Sequence, residues 1–227
     1  TLSACAGCSI DDDAELLGAV NTVKAGGEGA TGYNTDGKGF YADLRKSTAF
    51  NPQGQDIFVL GAGGAGRAIS LYLAFLSGDT PKSINVFDVD EAKLFSLKAF
   101  FDASRDPGIF RPVKAGDISA RMRGCGLVVN ATPIGTKKED PLPFSADNLR
   151  EGMVLYDLVY HGETELVRRA REKGLVAVNA LGMLIDQAAL AFEIWTEMPI
   201  EETGRVMTDA VNAEIVKRKK QQGPCAG

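Results

Sequence analysis

The sequence contains few of the residues that build metal and disulfide sites. It has one histidine, His161, and four cysteines among 227 residues. Cys5 and Cys8 form a C-x-x-C pair, but a structural zinc needs four ligands, and Cys125 and Cys225 lie far away in the sequence. Disulfide scaffolds are typical of small, cysteine-rich chains. We therefore predict no metal site, reduced cysteines in a cytoplasmic protein, and an interrupted helical region around Cys5 and Cys8.

The chain also lacks a surplus of positive charge and a long apolar segment. Its 25 basic and 30 acidic side chains give a net charge of −5, whereas a nucleic-acid-binding domain normally carries a basic surplus. No apolar run approaches the roughly 18 residues that a membrane-spanning helix needs, and no signal-peptide pattern opens the chain. The composition therefore argues against nucleic-acid and membrane partners.

The first residues do not follow the regular pattern of the rest. The chain opens on Thr1 rather than methionine. Within residues 1–50 the pattern predicts a turn of helix at Asp12–Leu17, a strand near Ala19–Val23 and a helix after Asn34. We expect this segment to be the end of a separate small domain, with Thr1 as a break point inside that domain.

From about residue 51 onwards, apolar runs alternate with helical patterns. The predicted strands are Asp56–Leu60, Ser83–Phe87, Leu127–Val129, Met153–Tyr156 and Leu175–Val178. The predicted helices are Gly64–Ser77, Asp90–Phe101, Glu163–Lys173 and Met183–Trp195. This alternation predicts an α/β fold with a doubly wound parallel sheet over residues 51–200. A last helix from about Glu202 and a basic tail would occupy residues 201–227.

A glycine-rich segment follows the first predicted strand and opens the first predicted helix. It reads Gly61-Ala62-Gly63-Gly64-Ala65-Gly66 and matches G-x-G-x-x-G. In this context the first glycine permits a tight turn, the second lets a pyrophosphate approach, and the third lets helix and strand pack closely. The helix N-terminus would attract the phosphates. The segment predicts a dinucleotide site; the alternative is a glycine-rich turn without a ligand.

Asp88 ends the second predicted strand, 22 residues after Gly66. An acidic residue about 20 residues beyond the glycines accepts the ribose hydroxyls of NAD. The 2′-phosphate of NADP would be repelled by the same carboxylate, by about 4 kcal/mol at 4 Å and an effective dielectric constant of 20. We therefore favour NAD, with NADP as the alternative cofactor. Asp88 capping a turn is the competing interpretation.

Six sequence blocks occur in a fixed order between Leu16 and Trp195. They are Gly18-Ala19-Val20-Asn21-Thr22, Asn34-Thr35-Asp36-Gly37, Gly61-Ala62-Gly63-Gly64-Ala65, Asn130-Ala131-Thr132-Pro133-Ile134-Gly135, Asp157-Leu158-Val159-Tyr160 and Leu181-Gly182-Met183-Leu184-Ile185-Asp186-Gln187. Together they resemble the shikimate/quinate dehydrogenase family. The resemblance implies a substrate-binding domain, of which residues 1–50 would be the last part, and a Rossmann domain, with the active site between them. It also implies interconversion of 3-dehydroshikimate and shikimate, or of 3-dehydroquinate and quinate, by hydride transfer with NAD or NADP, a step of aromatic amino acid biosynthesis.

The resemblance assigns roles to individual residues. Asp36 would be the catalytic aspartate, hydrogen-bonded to a substrate hydroxyl, and Asn21 a second anchor for a hydroxyl. Gln187 and Tyr160 would complete the substrate site from the Rossmann side. The residues that would line the path to the nicotinamide or form its apolar wall are Asn130, Thr132, Leu158, Ala180 and Met183. Each of these residues also has a plainer interpretation as a cap, an exposed position or part of the core.

Two features depart from the family pattern. NADP-using members usually show Asn-Arg-Thr or Asn-Arg-Ser where this chain has Asp88-Val89-Asp90, which supports NAD and the quinate-accepting branch. The family also has a Ser-x-Ser pair that binds the substrate carboxylate and a lysine that carries the proton. Both lie upstream of Gly18 in the family, and neither is found in this chain. Counting back from Asn21, the lysine would fall just before Thr1.

Three hypotheses follow for function. The first is a dehydrogenase of a small shikimate- or quinate-type substrate, a monomer or homodimer, whose 227 residues alone bind NAD and turn over slowly. The second is a catalytically incomplete dinucleotide-binding module, inactive without an N-terminal segment. The third is another Rossmann oxidoreductase, such as a relative of glutamyl-tRNA reductase. That class has no reason to carry Asn34-Thr35-Asp36-Gly37 ahead of the glycine loop.

Overall fold

The computed structural model describes residues 7–27 and 29–221 of the chain. Thr1, Cys5 and Cys225, for which the sequence raised expectations, lie outside the described residues. The described residues contain two sheets, one of three strands and one of six.

The smaller sheet contains strands β1 (Cys8–Ile10), β2 (Thr22–Gly26) and β3 (Gly29–Tyr33), in the order β1-β3-β2. Strands β2 and β3 form an antiparallel hairpin, and β1 pairs with β3 in parallel. The prediction of a helical region around Cys8 is wrong, because the backbone of Cys8 pairs with Ala30 as extended strand.

Two helices accompany the smaller sheet. Helix α1 (Asp12–Leu17) has the predicted bounds and ends at Gly18, whose φ of 68° lies in the left-handed region that favours glycine. Because the chain is still closing this helix, the strand predicted at Ala19–Val23 begins only at Thr22. Helix α2 (Asp36–Thr48) then connects β3 to the larger sheet.

The larger sheet is entirely parallel, as the alternating pattern predicts. Its strands are β4 (Asp56–Leu60), β5 (Ser83–Phe87), β6 (Phe110–Pro112), β7 (Leu127–Asn130), β8 (Val154–Asp157) and β9 (Val176–Asn179). Their order is β6-β5-β4-β7-β8-β9, which is the order of a Rossmann sheet. The chain passes from β4 to one side of the sheet and later returns to its other side at β7. Ligands bind at such a switch point, beyond the carboxyl ends of the strands.

Helices cover both faces of this sheet. The helices that follow β4 are α3 (Gly64–Phe75), α4 (Glu91–Asp102), α5 (Ile118–Met122), α6 (Glu165–Glu172), α7 (Leu181–Thr196) and α8 (Ile200–Gln221), of which α8 packs on α7. Successive residues of β4 enter different apolar clusters: Ile57 and Val59 join one, Phe58 and Leu60 the other. Burial on both faces explains why this strand reads as a continuous apolar run.

The element bounds differ from the sequence predictions at a few places. Strand β6 was not predicted, because three residues that end in Pro112 carry no alternating pattern. Helix α6 begins at Glu165 rather than Glu163, because the side chain of Thr164 caps it by accepting the Val167 N–H at 3.2 Å.

Helix α2 packs against α3 and α7, and α8 packs against α7. None of the helices in residues 7–27 and 29–221 combines the length and apolar character that a bilayer crossing demands. The same residues contain no cluster of three or more histidine, cysteine or acidic side chains suited to a metal ion.

A substitution of Phe101 on α4 measures how much the packing against the larger sheet contributes to stability. The fully buried Phe101 ring stacks on Phe110 with the ring centroids 4.8 Å apart. We expect Phe101→Ala to lower the free energy of unfolding by about 3–5 kcal/mol because of the cavity it leaves, as measured by urea denaturation. Phe95→Ala on the same helix, where the side chain is 76% exposed, should change it by less than about 0.5 kcal/mol. Equal effects of the two substitutions would contradict this account.

Candidate active site

The glycine loop adopts the geometry that its pattern predicts. Gly61 has a φ of 102°, and a methyl group on Gly66 would lie 2.0 Å from the carbonyl oxygen of Gly61. At Gly63 and Gly64 an added methyl group would meet nothing within 4 Å. The loop is therefore tight where strand and helix pack, and open where a ligand would approach.

The start of α3 can bind an anion. Its N-cap is Gly63, which has no side chain to accept a hydrogen bond from the first turn. The first N–H groups of a helix have no partner within the helix, and the helix dipole adds partial positive charge there. Gly64, Ala65 and Gly66 form the first turn of α3. The residues present therefore fit a dinucleotide pyrophosphate at this point.

Asp88 lies at the rim of the glycine loop. Its Oδ2 accepts the Ala62 N–H at 2.7 Å, and its Oδ1 accepts the Asp90 N–H at 2.8 Å. The turn-capping interpretation of Asp88 therefore describes its contacts. It does not exclude ribose binding, because each carboxylate oxygen can accept more than one hydrogen bond. The ammonium group of Lys93 lies 3.6 Å from the Asp90 carboxylate and is paired with it.

The Asn130 side chain is hydrogen-bonded within the turn after β7. This side chain is fully buried, and its Nδ2 donates to the Asp157 carboxylate at 2.9 Å and to the Ile134 carbonyl at 3.2 Å. Its Oδ1 accepts the Thr132 hydroxyl at 2.7 Å. The Asn130 side chain therefore holds Thr132, which is partly exposed, at that edge of the sheet. That Asn130 and Thr132 line the path to the nicotinamide stays a prediction.

Asp157 completes the same buried network. Its other oxygen accepts the Thr164 hydroxyl at 2.6 Å, which joins the end of β8 to the start of α6. Burial raises the pKa of this carboxyl, and the hydrogen bonds from Thr164, Val159 and Asn130 oppose that rise. The network therefore fixes two loops at the carboxyl edge of the sheet.

Three of the predicted substrate residues lie together. The Nδ2 of Asn21 lies 2.9 Å from Asp36 Oδ1, 3.3 Å from Gln187 Oε1 and 3.1 Å from the Thr35 hydroxyl. Asn21 precedes β2, Asp36 starts α2, and Gln187 lies on α7. The fold therefore brings side chains from both sheet regions, separated by up to 166 positions in sequence, into one polar group.

The local backbone sets the direction of Asp36. Its N–H donates to the Asn34 side chain at 3.0 Å, and the Thr35 N–H donates to Asn21 Oδ1 at 3.0 Å. Burial raises the pKa of the Asp36 carboxyl, and the hydrogen bond from Asn21 opposes the rise. No ion pair involves Asp36 within residues 7–27 and 29–221. Its remaining oxygen can accept a ligand hydroxyl.

The other predicted residues lie in different settings. Tyr160 is 40% exposed, and its ring lies 4.2 Å from that of His161; in the described part of the chain it makes no hydrogen bond to the polar group. Ala180 and Met183 are buried in the apolar core, and Leu158 packs against that core from its edge. These three residues can back an apolar wall, with Leu158 the most accessible.

Sequence reasoning missed Arg67, which joins the two regions near the glycine loop. Its Nε donates to the Leu17 carbonyl at 3.2 Å, and its guanidinium lies 5.4 Å from the centre of the Phe100 ring. The carbonyl belongs to the last turn of α1, where a cation is favoured. An arginine after a glycine loop carries no local signal for such a contact.

Known proteins share this architecture. A family model described as Shikimate 5'-dehydrogenase C-terminal domain matches residues 181–203. The shikimate dehydrogenase (NADP(+)) of Methanopyrus kandleri is 39% identical over 209 residues, which is 89% of this chain and 69% of that protein.

Two solved structures are similar over most of the chain. Shikimate 5-dehydrogenase from Listeria monocytogenes in complex with shikimate and NAD has a TM-score of 0.76 at 30% identity, covering 88% of this chain and 72% of that one. Quinate dehydrogenase from Corynebacterium glutamicum in complex with NAD has a TM-score of 0.77 at 29% identity, covering 88% and 71%.

The glycine loop yields a direct test of its geometry. We expect Gly66→Ala to lower the free energy of unfolding by about 1–3 kcal/mol, because the added methyl group would displace backbone atoms. Gly64→Ala should be neutral or stabilising by up to about 1 kcal/mol, because the methyl group there meets no atom and alanine favours helix. Urea denaturation of both variants measures the difference; equal midpoints would contradict it.

Proposed function

The chain belongs to the shikimate dehydrogenase family, and we propose that it is an oxidoreductase that interconverts 3-dehydroshikimate and shikimate, or 3-dehydroquinate and quinate, with a nicotinamide cofactor. The observation that carries this proposal is the polar group of Asn21, Asp36 and Gln187. It combines hydrogen-bond acceptors and donors for a polyhydroxylated ring in a protein that also has a dinucleotide-binding loop.

Each of the three side chains can make a different hydrogen bond to a bound substrate. Asp36 accepts a hydrogen bond from the hydroxyl that is oxidised or formed. The Asn21 amide nitrogen faces three acceptors with two protons, so one contact is available for exchange with a substrate oxygen. The Gln187 amide nitrogen donates to no side chain or backbone group among the described residues and can donate to the substrate. The nicotinamide, when bound, supplies or accepts the hydride.

Asp36 can itself exchange a proton with the substrate, in addition to the proton carried by the lysine that the resemblance pairs with this aspartate. As the carboxylate it can accept the proton of the reacting hydroxyl, and as the carboxylic acid it can donate one to the carbonyl oxygen in the reverse direction. Because burial raises the pKa of Asp36, its protonated form is more accessible near neutral pH than that of an exposed aspartate. The Asp36 side chain can therefore take part in proton transfer in both directions of the reaction.

We further propose NAD as the preferred cofactor. Two backbone N–H groups hold Asp88 at the rim of the glycine loop, where its charge opposes a 2′-phosphate. Val89, at the position where the resemblance places arginine in NADP-using members, is 88% exposed. The neighbouring cation, Lys93, is paired with Asp90. The matched relatives and structures include both cofactors by name.

The same proposal includes a small-molecule substrate, a cytoplasmic location, a monomer or homodimer, and the division of the chain near residues 50 and 200. The hypothesis of a module without catalysis is not favoured, because the polar group is assembled and the relatives are named as enzymes. The hypothesis of another Rossmann oxidoreductase is not favoured either, because the solved structures include shikimate and quinate dehydrogenases.

The activity is tested by incubating the protein with shikimate or quinate and with NAD or NADP. We expect reduced cofactor to form with at least one of the two substrates. Asp36→Asn should lower kcat by about 10²–10⁴-fold, because an amide cannot take up the hydroxyl proton. Absorbance at the nicotinamide band measures both. Asp12→Asn, an exposed carboxylate on α1, is the control and should leave kcat unchanged.

The same variant predicts a pH effect on stability. Because burial raises the pKa of Asp36, its charged form costs folding free energy above that pKa, and this cost disappears as the pH falls through it. We expect Asp36→Asn to be at least as stable as the parent at neutral pH, with any advantage in stability shrinking toward acidic pH.

For the activity itself, cofactor binding without turnover by the parent protein would contradict the proposed function and favour the hypothesis of a binding module.

Asp88→Asn tests the cofactor preference. The substitution removes the charge and keeps one acceptor oxygen, so the ratio of kcat/KM for NAD over NADP should fall by about tenfold or more. Steady-state kinetics with both cofactors measures this ratio. Asp102→Asn, a half-exposed carboxylate paired with Lys98 on α4, should leave the ratio unchanged. An unchanged ratio in Asp88→Asn would show that this carboxylate does not select the cofactor.

A further inference from the structure

A buried hydrogen bond joins α2 to the larger sheet away from the polar group. Asp43 on α2 is 2% exposed, and its carboxylate accepts the hydroxyl of Tyr156 on β8, which is fully buried. The carboxylate also accepts the Ser47 hydroxyl at 2.6 Å. Burying a carboxylate is costly unless it is hydrogen-bonded. An apolar pair would fill this space more cheaply, but it would not be directional.

The same carboxylate lies against the start of α7. A methyl group on Gly182 would lie 2.0 Å from Asp43 Oδ1, and one on Gly39 would lie 2.8 Å from the backbone nitrogen of Gln187. As residue numbers rise along α2, the contacted numbers fall along α7, so the two helices run antiparallel. Both contacts require glycine, and together they define where α2 lies along α7.

One face of α2 carries both the polar group and the buried bond. Asp36, Phe40, Asp43 and Ser47 are spaced by four, three and four residues, which places them on one side of a helix. The Phe40 ring meets the Tyr156 ring edge-on with the centroids 4.8 Å apart. A shift or rotation of α2 at Asp43 would therefore move Asp36, about two turns away, by a similar amount.

The surrounding groups keep the Tyr156 hydroxyl protonated, so the hydrogen bond to Asp43 keeps its direction. Burial and the neighbouring Asp43 carboxylate raise the pKa of Tyr156, so its hydroxyl remains a donor. Asp186 on α7 and Lys46 on α2 also face this region, and burial raises the pKa of Asp186 while Lys46 opposes that rise. The carboxylate of Asp43 lies at the N-terminal turn of α7, where the helix dipole favours negative charge.

We propose that Tyr156 and Asp43 are positioning residues for the active site: their hydrogen bond sets the place of α2 on β8 and α7 and so holds Asp36 within reach of Asn21 and Gln187. This inference rests on the proposed function. In this proposal Tyr156 and Asp43 do not contact the substrate. They act through the helix that carries Asp36.

Tyr156→Phe is the primary test, because it removes one oxygen atom and keeps the ring. We expect kcat to fall by about 10- to 100-fold, since small displacements of reacting groups have effects of this size. The dissociation constant of NADH should stay within about twofold, because the glycine loop is unchanged. Asp43→Asn, in which the amide oxygen can still accept the Tyr156 hydroxyl, should lower kcat less than Tyr156→Phe does.

Tyr41→Phe is the matched control. The Tyr41 hydroxyl donates to Asp79, so this variant removes a second tyrosine–aspartate bond from the same helix without touching α7. It should lower stability and leave kcat unchanged. Gly182→Ala disturbs the Asp43 contact from the α7 side while keeping every hydrogen-bonding group, and it should lower kcat like Tyr156→Phe. All variants are assayed well below their unfolding temperatures, with trimethylamine N-oxide to restore the folded fraction.

Three outcomes of the activity and folding measurements would overturn the positioning role. They are a kcat within twofold of the parent in Tyr156→Phe or Gly182→Ala, an equal loss in Tyr41→Phe, or variants that do not fold even in the osmolyte. Amide hydrogen exchange measures the same role without catalysis: the hydrogen-bonded amides of α2 from Gly39 onwards should exchange faster in Tyr156→Phe than in Tyr41→Phe. A parent without turnover would refute the proposed function, whereas unchanged exchange would refute the positioning role.

Discussion

Helix α2 lies so close to α7 that a side chain larger than hydrogen at Gly39 would collide with the backbone of Gln187. The same helix meets α3 closely, where a methyl group on Gly37 would lie 2.6 Å from the Cβ of Tyr72. This double contact seats the smaller sheet against the larger one. Because Asp36 is the first residue of α2 and Gln187 is on α7, the distance between the helices determines whether their side chains can share a ligand.

The architecture separates the two halves of the proposed reaction. The glycine loop follows β4, where the order in which strands are added to the parallel sheet reverses. Its conformation depends on contacts among Gly61, Gly66 and the turn after β7. The polar group of Asn21, Asp36 and Gln187 depends on how the smaller sheet is seated. Arg67 links these halves, because it follows the loop and binds the end of α1. One hydrogen bond therefore connects the helix of the glycine loop to the region of the smaller sheet.

Three half-buried or fully buried carboxylates differ in the hydrogen bonds that they accept. Asp157 is fully buried and receives donors from Asn130, Thr164 and Val159, so it serves to hold loops. Asp43 receives donors from Tyr156 and Ser47, and the first of these bonds joins α2 to β8. Asp36 accepts one side-chain donor, Asn21, on one oxygen. Its other oxygen accepts no hydrogen bond among the described residues, and the proposed function uses that oxygen to bind the substrate hydroxyl.

The sequence by itself determined the α/β class, the parallel sheet and the glycine loop, because these depend on local periodicity and on glycine spacing. It indicated the polar residues only through the resemblance of its sequence blocks to a known family. It could not reveal strand β6, the strand at Cys8, the burial of Asn130 or the contacts of Arg67, Asp43 and Tyr156. Those features depend on which distant backbones pair and how closely helices approach. Asn21 and Gln187 are 166 positions apart, and only the packing of α2 between α3 and α7 brings them within hydrogen-bonding distance.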